Sequence, residues 1–422
     1  MGTSTEAIGP IVVVGAGAAG LMAAIFAAQG GARVILLERT PDGGRKILIS
    51  GGGRCNVLPS RLNASQYITE SSPNTLRKML GSWPLAEQRS FFESELSLEL
   101  TMEPETGKLF PVSNKARDVR DGLVQKAVAA DVEVRTSTQV TGMRPARASP
   151  AGWEVQLKDA PMIPAAAVII ATGGLSVPLT GSDGIGLRIA RELGHSINTT
   201  YPALTPLTAQ PAVHAPLAGI SLPVHLQAPL DRGAFATEGG FLFTHRGYSG
   251  PAVLDISHLA VRAQLNNGDQ PILVQWTDLD AAGWDEELKA GGAGTVASIV
   301  RRRLPDRLAE ALIDEAGVDP ARNLTQLRKD ERLRLVEALA RYPLPWTGDE
   351  GYKKAEVTGG GVALGEVDPK SLESRIQPGL FLCGEVLDAF GPIGGYNFAW
   401  AWATGRAAGR GAAAHLQTRS ST

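Results

Sequence analysis

Two cysteines in 422 residues, Cys55 and Cys383, leave this chain without a disulfide framework and without the CxxC spacing of a dithiol redox centre. Such usage fits a reducing compartment, and a cytoplasmic location is expected. An excess of one charge is also missing. The formal net charge is -2, which gives no general attraction to nucleic acid or to an anionic membrane, so neither is expected as a partner. Histidine is sparse, and His195, His214, His225, His258 and His415 lack metal-ligand spacing with a cysteine or an acid, so no metal site is expected. Internal repeats and low-complexity linkers are absent. One stretch imitates a membrane span: Ile8 to Ala32 carries no charge. Its many glycines, the lack of a preceding basic residue, and Glu6 in its flank argue against a signal or a transmembrane segment.

What the chain does have is glycine in particular places. Ile11 to Val14 is a β-branched run of the kind buried on both faces of a parallel sheet, and it leads straight into "GAGAAG". Gly15, Gly17 and Gly20 fall in the G-x-G-x-x-G register, and a small-residue helix follows until Gly30 and Gly31. Gly15 permits the turn, Gly17 lets a pyrophosphate touch backbone, and Gly20 lets helix and strand pack closely. The helix N-terminus, with Ala16, Ala18 and Ala19 in the same loop, would face the phosphates. A second strand, "RVILLE", ends at Glu38, placed to accept hydrogen bonds from ribose hydroxyls. Strand, turn, helix and acid together predict an adenine dinucleotide site.

"RKILISGGGRCN" begins soon after, setting Gly51, Gly52 and Gly53 between Arg45, Lys46 and Arg54. Bare backbone flanked by cations makes an anion site, and the alternative is a flexible surface loop. An NAD dehydrogenase has no use for such a loop. An extended flavin dinucleotide does, because the loop can wrap its pyrophosphate and reach the ring. Cys55, inside the loop, is either filler or a thiol whose pKa is lowered beside Arg54. Cys383 reads as packing in a buried strand.

Several separated blocks resemble the bacterial YhiN and BaiN type flavoproteins of the two-dinucleotide-binding-domain group. They include "GAGAAGLMAA", "RKILISGGGRCN", "GKLFPVSNKARDV", "VIIATGG", "YPALTPL", "FTHRGYSGPAVLDIS", "EVTGGGVALGEV" and "PGLFLCGEVLDAFGPIGGYNFAWAWATGRAAG". In order and spacing they cover nearly the whole chain, and the likeness is weakest between about Ala260 and Asp349. The resemblance implies non-covalent FAD and an oxidoreductase. It fixes the cofactor better than the substrate. Beyond the first loop, it assigns Arg39, Ser50 and Asn56 to the cofactor, along with Val140, Ala171, Thr172 and Gly173. Near the C-terminus it assigns Gly384, Glu385 and Asp388, with Asp388 on the ribityl chain, and Gly394, Gly395, Tyr396 and Asn397 at the start of a helix. That helix dipole would stabilise the anion of reduced flavin. Trp400 and Trp402 read as packing of the helix onto the sheet.

The expected architecture is an α/β, glutathione-reductase-like FAD domain from residues 1–197 and 352–422. It is interrupted by a β-barrel-like domain, 198–280, and a helical insert, 281–351. Arg301 to Arg303 could meet nucleic acid, but Asp306, Glu310, Asp314 and Glu315 offset them, which favours a solvated helix face. For chemistry on the substrate, His245, Arg246 and Ser249, with Tyr248, are suited to polarising a carbonyl or donating a proton; the alternative is a tight turn with exposed polar residues. No second complete NAD(P) domain is visible, so NAD(P)H would act as a transient donor, with Arg188 or Arg191 as candidate contacts. The leading function is NAD(P)H-driven reduction of a conjugated ketone or similar small molecule. Its rivals are an oxidase of an amine or amino ketone, a tRNA-directed flavoenzyme, and a flavin-binding sensor without turnover.

Overall fold

The computed structural model describes residues 9–146, 152–290 and 294–420. They divide into two compact units, one formed by 1–200 with 357–422 and the other by 201–356.

The first unit is organised by four short apolar runs, Ile11–Val14, Val34–Leu37, Ala167–Ile170 and Leu380–Leu382, in which every residue is buried. Strands apolar on both faces belong at the centre of a parallel sheet, and parallel pairing is what these runs adopt. With Glu133–Arg135 added at one edge, the spatial order is 380–382, 167–170, 11–14, 34–37, 133–135. In sequence order that is 5-4-1-2-3. The direction of strand addition reverses between the first and fourth strands, in register from Ile11 opposite Ala167 to Val14 opposite Ile170. Open α/β sheets bind ligands in the crevice beyond the strand ends at such a reversal. Gly15 and Ala171 are the residues that follow those two strands.

The helix Ala18–Gln29 is rich in alanine and buried along most of its length. It can be, because the C-terminal helix Tyr396–Ser420 lies against it through glycines. A Cβ on Gly405 would fall 3.1 Å from the carbonyl carbon of Ala19, and one on Gly409 3.0 Å from that of Ala23, each closer still to the oxygen. The two helices touch backbone to backbone there. No helix among the described residues is long and apolar enough to cross a membrane.

The second unit carries a seven-stranded antiparallel sheet in the order 342–343, 273–275, 221–229, 234–244, 247–249, 207–208, 348–349. Its two edge strands are neighbours in sequence. Leu344 donates to the Ile272 carbonyl at 2.8 Å and Thr347 to the Thr208 carbonyl at 2.7 Å, so one short connection bonds to both ends of the sheet. Three residue steps span at most ~11 Å, whereas seven flat strands would hold the edges ~29 Å apart. The sheet is therefore rolled, as a barrel is. Helices 281–289, 296–300, 306–315 and 329–340 are inserted between its strands and share one apolar cluster with them, which includes Phe241, Phe243, Trp276 and Trp284. Buried His214 ties strand to helix: its Nδ1 lies 2.9 Å from the Tyr248 hydroxyl and its Nε2 3.0 Å from Glu315 Oε1.

Candidate functional site

The dinucleotide loop is built from three glycines under different constraints. Gly15 has φ +100°, and a Cβ there would sit 2.6 Å from the Ala171 carbonyl oxygen. A Cβ on Gly20 would fall 2.9 Å from the Gly15 carbonyl carbon and nearer its oxygen. Both positions are closed by the protein itself. Gly17 differs, since a Cβ there meets nothing within 4 Å. It is the N-cap of the helix, with no side-chain cap and no acid in the first turn. Unclaimed N–H groups and open space at a helix N-terminus suit a pyrophosphate.

Glu38 is buried, and its carboxylate accepts from the Ala16 N–H at 2.9 Å and from the Thr40 N–H and hydroxyl at 2.8 and 2.7 Å. A carboxylate offers about four acceptor sites, so capacity remains for a ribose hydroxyl. Arg39 pairs with Asp183 across the loop.

The basic glycine loop runs from the short helix Arg45–Ile49 through three left-handed glycines, Gly51, Gly52 and Gly53 (φ 54°, 67° and 86°), to Cys55, also left-handed. The cations are distributed rather than pooled. Arg45 pairs with Asp42 at 2.7 Å, and Arg54 lies 4.0 Å from the Phe110 ring centroid while reaching Glu103 at 3.0 Å. Lys46 turns inward and meets Glu385 Oε2 at 2.7 Å and the Ser176 hydroxyl at 2.5 Å. Glu385 also accepts from Ser176 Oγ at 2.6 Å and from the Thr358 N–H at 2.9 Å. Thr358 Oγ1 in turn receives the N–H groups of Leu175 and Ser176. Four distant segments are thereby knotted together. Burial would raise the Glu385 carboxyl, but the Lys46 ammonium and the bonds from Ser176 and Thr358 hold it below the ordinary value.

Ser50 Oγ donates to the Ile47 carbonyl, and the Cys55 N–H donates to the Ser50 carbonyl, closing the loop. Cys55 is fully buried, and desolvation pushes its thiol up to about 12. Of the two readings of Cys55, the burial and the raised thiol fit filler rather than a thiol lowered beside Arg54, whose guanidinium lies over Phe110 and bonds Glu103. Asn56 is 7% exposed, and its Oδ1 has no hydrogen-bond partner. An unpaired buried acceptor is costly, and a ligand N–H would satisfy this one.

Around the C-terminal segment, Asp388 is 1% exposed and one oxygen, Oδ2, takes five donors: the Thr69 and Ser71 hydroxyls, the Glu70 and Ser71 N–H groups, and Asn198 Nδ2 at 2.7 Å. Gly384 is left-handed, with its Cβ direction filled by Ala19 at 2.7 Å. Gly394 and Gly395, both at positive φ, lead into the helix at Tyr396, and Asn397 pins that turn through paired bonds to the Gly391 N–H and carbonyl, both 2.9 Å. Trp400 and Trp402 are buried, donating to the carbonyls of Gly384 and Val57. Gly173 is left-handed at the end of the fourth strand, next to Thr172, and Val140 opens a separate antiparallel strand, 140–145. Arg188 is committed to Glu192 and to the Thr141 carbonyl.

In the second unit, His245 and Arg246 form the exposed two-residue turn between strands 234–244 and 247–249. Ser249 is half-buried, whereas Tyr248 points into the core toward His214. Of the arginine run, Arg301 pairs with Glu310 and Arg303 with Glu287 at 2.8 Å. Sequence reasoning did not single out Ser176, Thr358 or Lys108, although "EVTGGG" and "GKLFP" contained two of them.

Residues 9–411 match the model of the HI0933-like protein Rossmann domain. The chain belongs to this family. It is 32% identical over 402 residues to the ribosomal RNA dihydrouridine synthase of Escherichia coli, covering 93% of this chain and 95% of that one. It is also 32% identical over 411 residues to the 3-dehydro-bile acid delta(4,6)-reductase of Clostridium scindens, covering 96% and 98%. Among solved structures, 3-ketosteroid delta1-dehydrogenase from Sterolibacterium denitrificans shares the fold with a TM-score of 0.54 at 12% identity, over 96% of this chain and 99% of that one. The relatives are of the YhiN and BaiN type, and the protein is an FAD-dependent oxidoreductase. The residues present fit that cofactor: open backbone at Gly17, spare acceptor capacity at Glu38 and an unsatisfied amide at Asn56.

Proposed function

We propose that this protein uses NAD(P)H to reduce a carbon–carbon double bond conjugated with a ring carbonyl in a small molecule. The observation that carries the reading is the pair of relatives, equally similar to this chain and named for different substrates. The named reactions share a bond type. Forming a dihydrouridine saturates a double bond conjugated with a uracil carbonyl, and a delta(4,6)-reductase acting on a 3-dehydro bile acid saturates double bonds conjugated with a ring ketone.

Bound FAD would supply the hydride chemistry. In this reading the backbone of Gly15 to Gly20 holds its pyrophosphate, Glu38 its ribose, and the Gly51–Gly53 loop, drawn in by Lys46 and Glu385, the remainder. His245 and Arg246, exposed on their turn, are the groups assigned to polarise the substrate carbonyl, with Ser249 beside them. The pairing of Arg301 and Arg303 with acids, and the net charge of -2, favour a small molecule over a polyanion. The name of the Escherichia coli relative supports a second reading, in which the double bond belongs to a uridine of ribosomal RNA.

The test is an anaerobic spectrum of the holoprotein with NADH or NADPH, followed by addition of a cyclic enone or of unmodified ribosomal RNA. Bleaching by the nicotinamide and recovery of the flavin band on adding the enone is the expected result. Recovery with RNA alone would replace the first reading by the second, and failure of either nicotinamide to bleach the band would refute the donor.

A further inference from the structure

Lys108 is a cation that the site described so far does not use. It opens the strand Lys108–Pro111 and faces Glu103 across an antiparallel pair. That carboxylate is already bonded, by the Thr106 hydroxyl at 2.6 Å and the Arg54 guanidinium at 3.0 Å, and these bonds, with the nearby charges of Arg54 and Lys108, hold it below the ordinary carboxylate range. Among the described residues no carboxylate forms an ion pair with the Lys108 ammonium. Its stem instead lies over Gly394, where a Cβ would be 3.6 Å from Lys108 Cε.

Gly394 and Gly395 lead into the 25-residue helix Tyr396–Ser420, which has no acid in its first turn. A Cβ on Gly395 would lie 3.0 Å from Asn56 Oδ1, the acceptor left without a donor. A lysine with no ion-pair partner among the described residues, its stem over Gly394, a helix N-terminus and an unsatisfied buried acceptor therefore lie at one pair of glycines. The pyrimidine edge of an isoalloxazine matches this set, because it carries an imide N–H for the acceptor and collects negative charge when the ring is reduced.

We propose that Lys108 is the counter-charge of the reduced cofactor and so sets its redox potential. The proposal rests on the assignment of FAD to this site. A hydride from NAD(P)H carries two electrons and one proton, so an oxidised, neutral isoalloxazine that accepted it would become a monoanion. The fixed charge of Lys108 and the helix N-terminus stabilise it without a second proton. Sulfite would pose the same demand without a reductant: as its sulfur lone pair bonded to ring N5, the N5–C4a π bond would open and its electron pair would rest on the pyrimidine as one negative charge.

The experiment uses holoprotein carrying K108M, K108R or K108Q, matched for flavin content. It measures the sulfite dissociation constant and the midpoint potential by anaerobic titration. K108M and K108Q should weaken sulfite binding about tenfold and lower the midpoint by about 30 mV, the tenfold equivalent for a two-electron couple. K108R should stay near wild type. Flavin-replete K108M or K108Q with wild-type sulfite affinity and potential overturns the role of Lys108 and leaves the FAD assignment standing. Wild-type protein unable to take up FAD removes the assignment, and the proposal with it.

Discussion

Replacing Gly17 and Gly20 separately by alanine distinguishes a glycine that the ligand requires from one that the fold requires. A Cβ at position 20 would lie 2.9 Å from the Gly15 carbonyl carbon, on backbone that cannot turn aside. Relief means moving the helix Ala18–Gln29 off the sheet, and overpacking of this kind costs ~3 kcal/mol. At roughly 2–4 °C per kcal/mol for a unit of this size, G20A should melt about 6–12 °C below wild type with or without cofactor. Position 17 is open, so G17A loses only the difference between glycine and alanine at an N-cap, about 0.5–1 kcal/mol. What it fills is the space assigned to pyrophosphate. Apoprotein of G17A should therefore melt within a few degrees of wild type. FAD at a hundred times its dissociation constant, which adds about 2.7 kcal/mol to wild type, should add almost nothing to G17A. Thermal unfolding with and without FAD, alongside flavin absorbance after desalting, reads both effects. If G17A retains stoichiometric flavin with a full thermal shift, the pyrophosphate does not lie against Gly17.

Two further outcomes follow from carboxylates held by bonded partners. Glu373 is held below its ordinary value by its bond from His415, and Glu366, despite burial, by bonds from Ser196 and His195. A depressed folded pKa contributes stability that is complete above the unfolded carboxyl value of about 4.3 and is lost as pH falls through the lower folded value. E366Q and E373Q should be less stable than wild type at pH 7 by about 1–3 kcal/mol and show a flatter loss between pH 5 and 3 in urea unfolding; an unchanged acid limb would count against the pairing. In the knot around Glu385, the K46M/E385Q double variant should lose less stability than the sum of K46M and E385Q, with a coupling of about 0.5–3 kcal/mol in denaturant melts. Simple additivity would mean that the ion pair contributes nothing.

How much of this could be read from the sequence depended on the range of each constraint. The strand, turn, helix and second strand from Ile11 to Glu38 were legible because Gly15 and Gly20 answer to backbone only a few residues away, or on the adjacent strand. Lys46 and Glu385 were both visible as candidates, yet their pairing across most of the chain was not, since no periodicity links them. The same applies to Asp388, whose partners come from Thr69 to Ser71 and from Asn198. Pro251–Leu265 is a helix inside a stretch that alternation reads as strands and turns. Short apolar runs suit either state, and the deciding feature is local, a left-handed Gly250 with proline in the first helical turn. The choice at Cys55 between filler and a lowered thiol stayed open in sequence for a different reason: Arg54 is its neighbour in the chain, and only folding shows the thiol buried and the guanidinium over Phe110.

The close seat of helix 396–420 on helix 18–29 also dictates an order of events in the cell. Residues 201–356 are contiguous and can complete their core as soon as they have emerged, whereas the nucleotide unit still lacks its last strand, Leu380–Leu382, and the helix that covers its first. At a synthesis rate of roughly 5–20 residues per second, the glycine loop at Gly15 waits on the order of 20–80 s for the segment that will pack behind it. Cofactor loading then waits for the segment from Leu380 onward, and until that segment is made the first half of the dinucleotide fold depends on not aggregating.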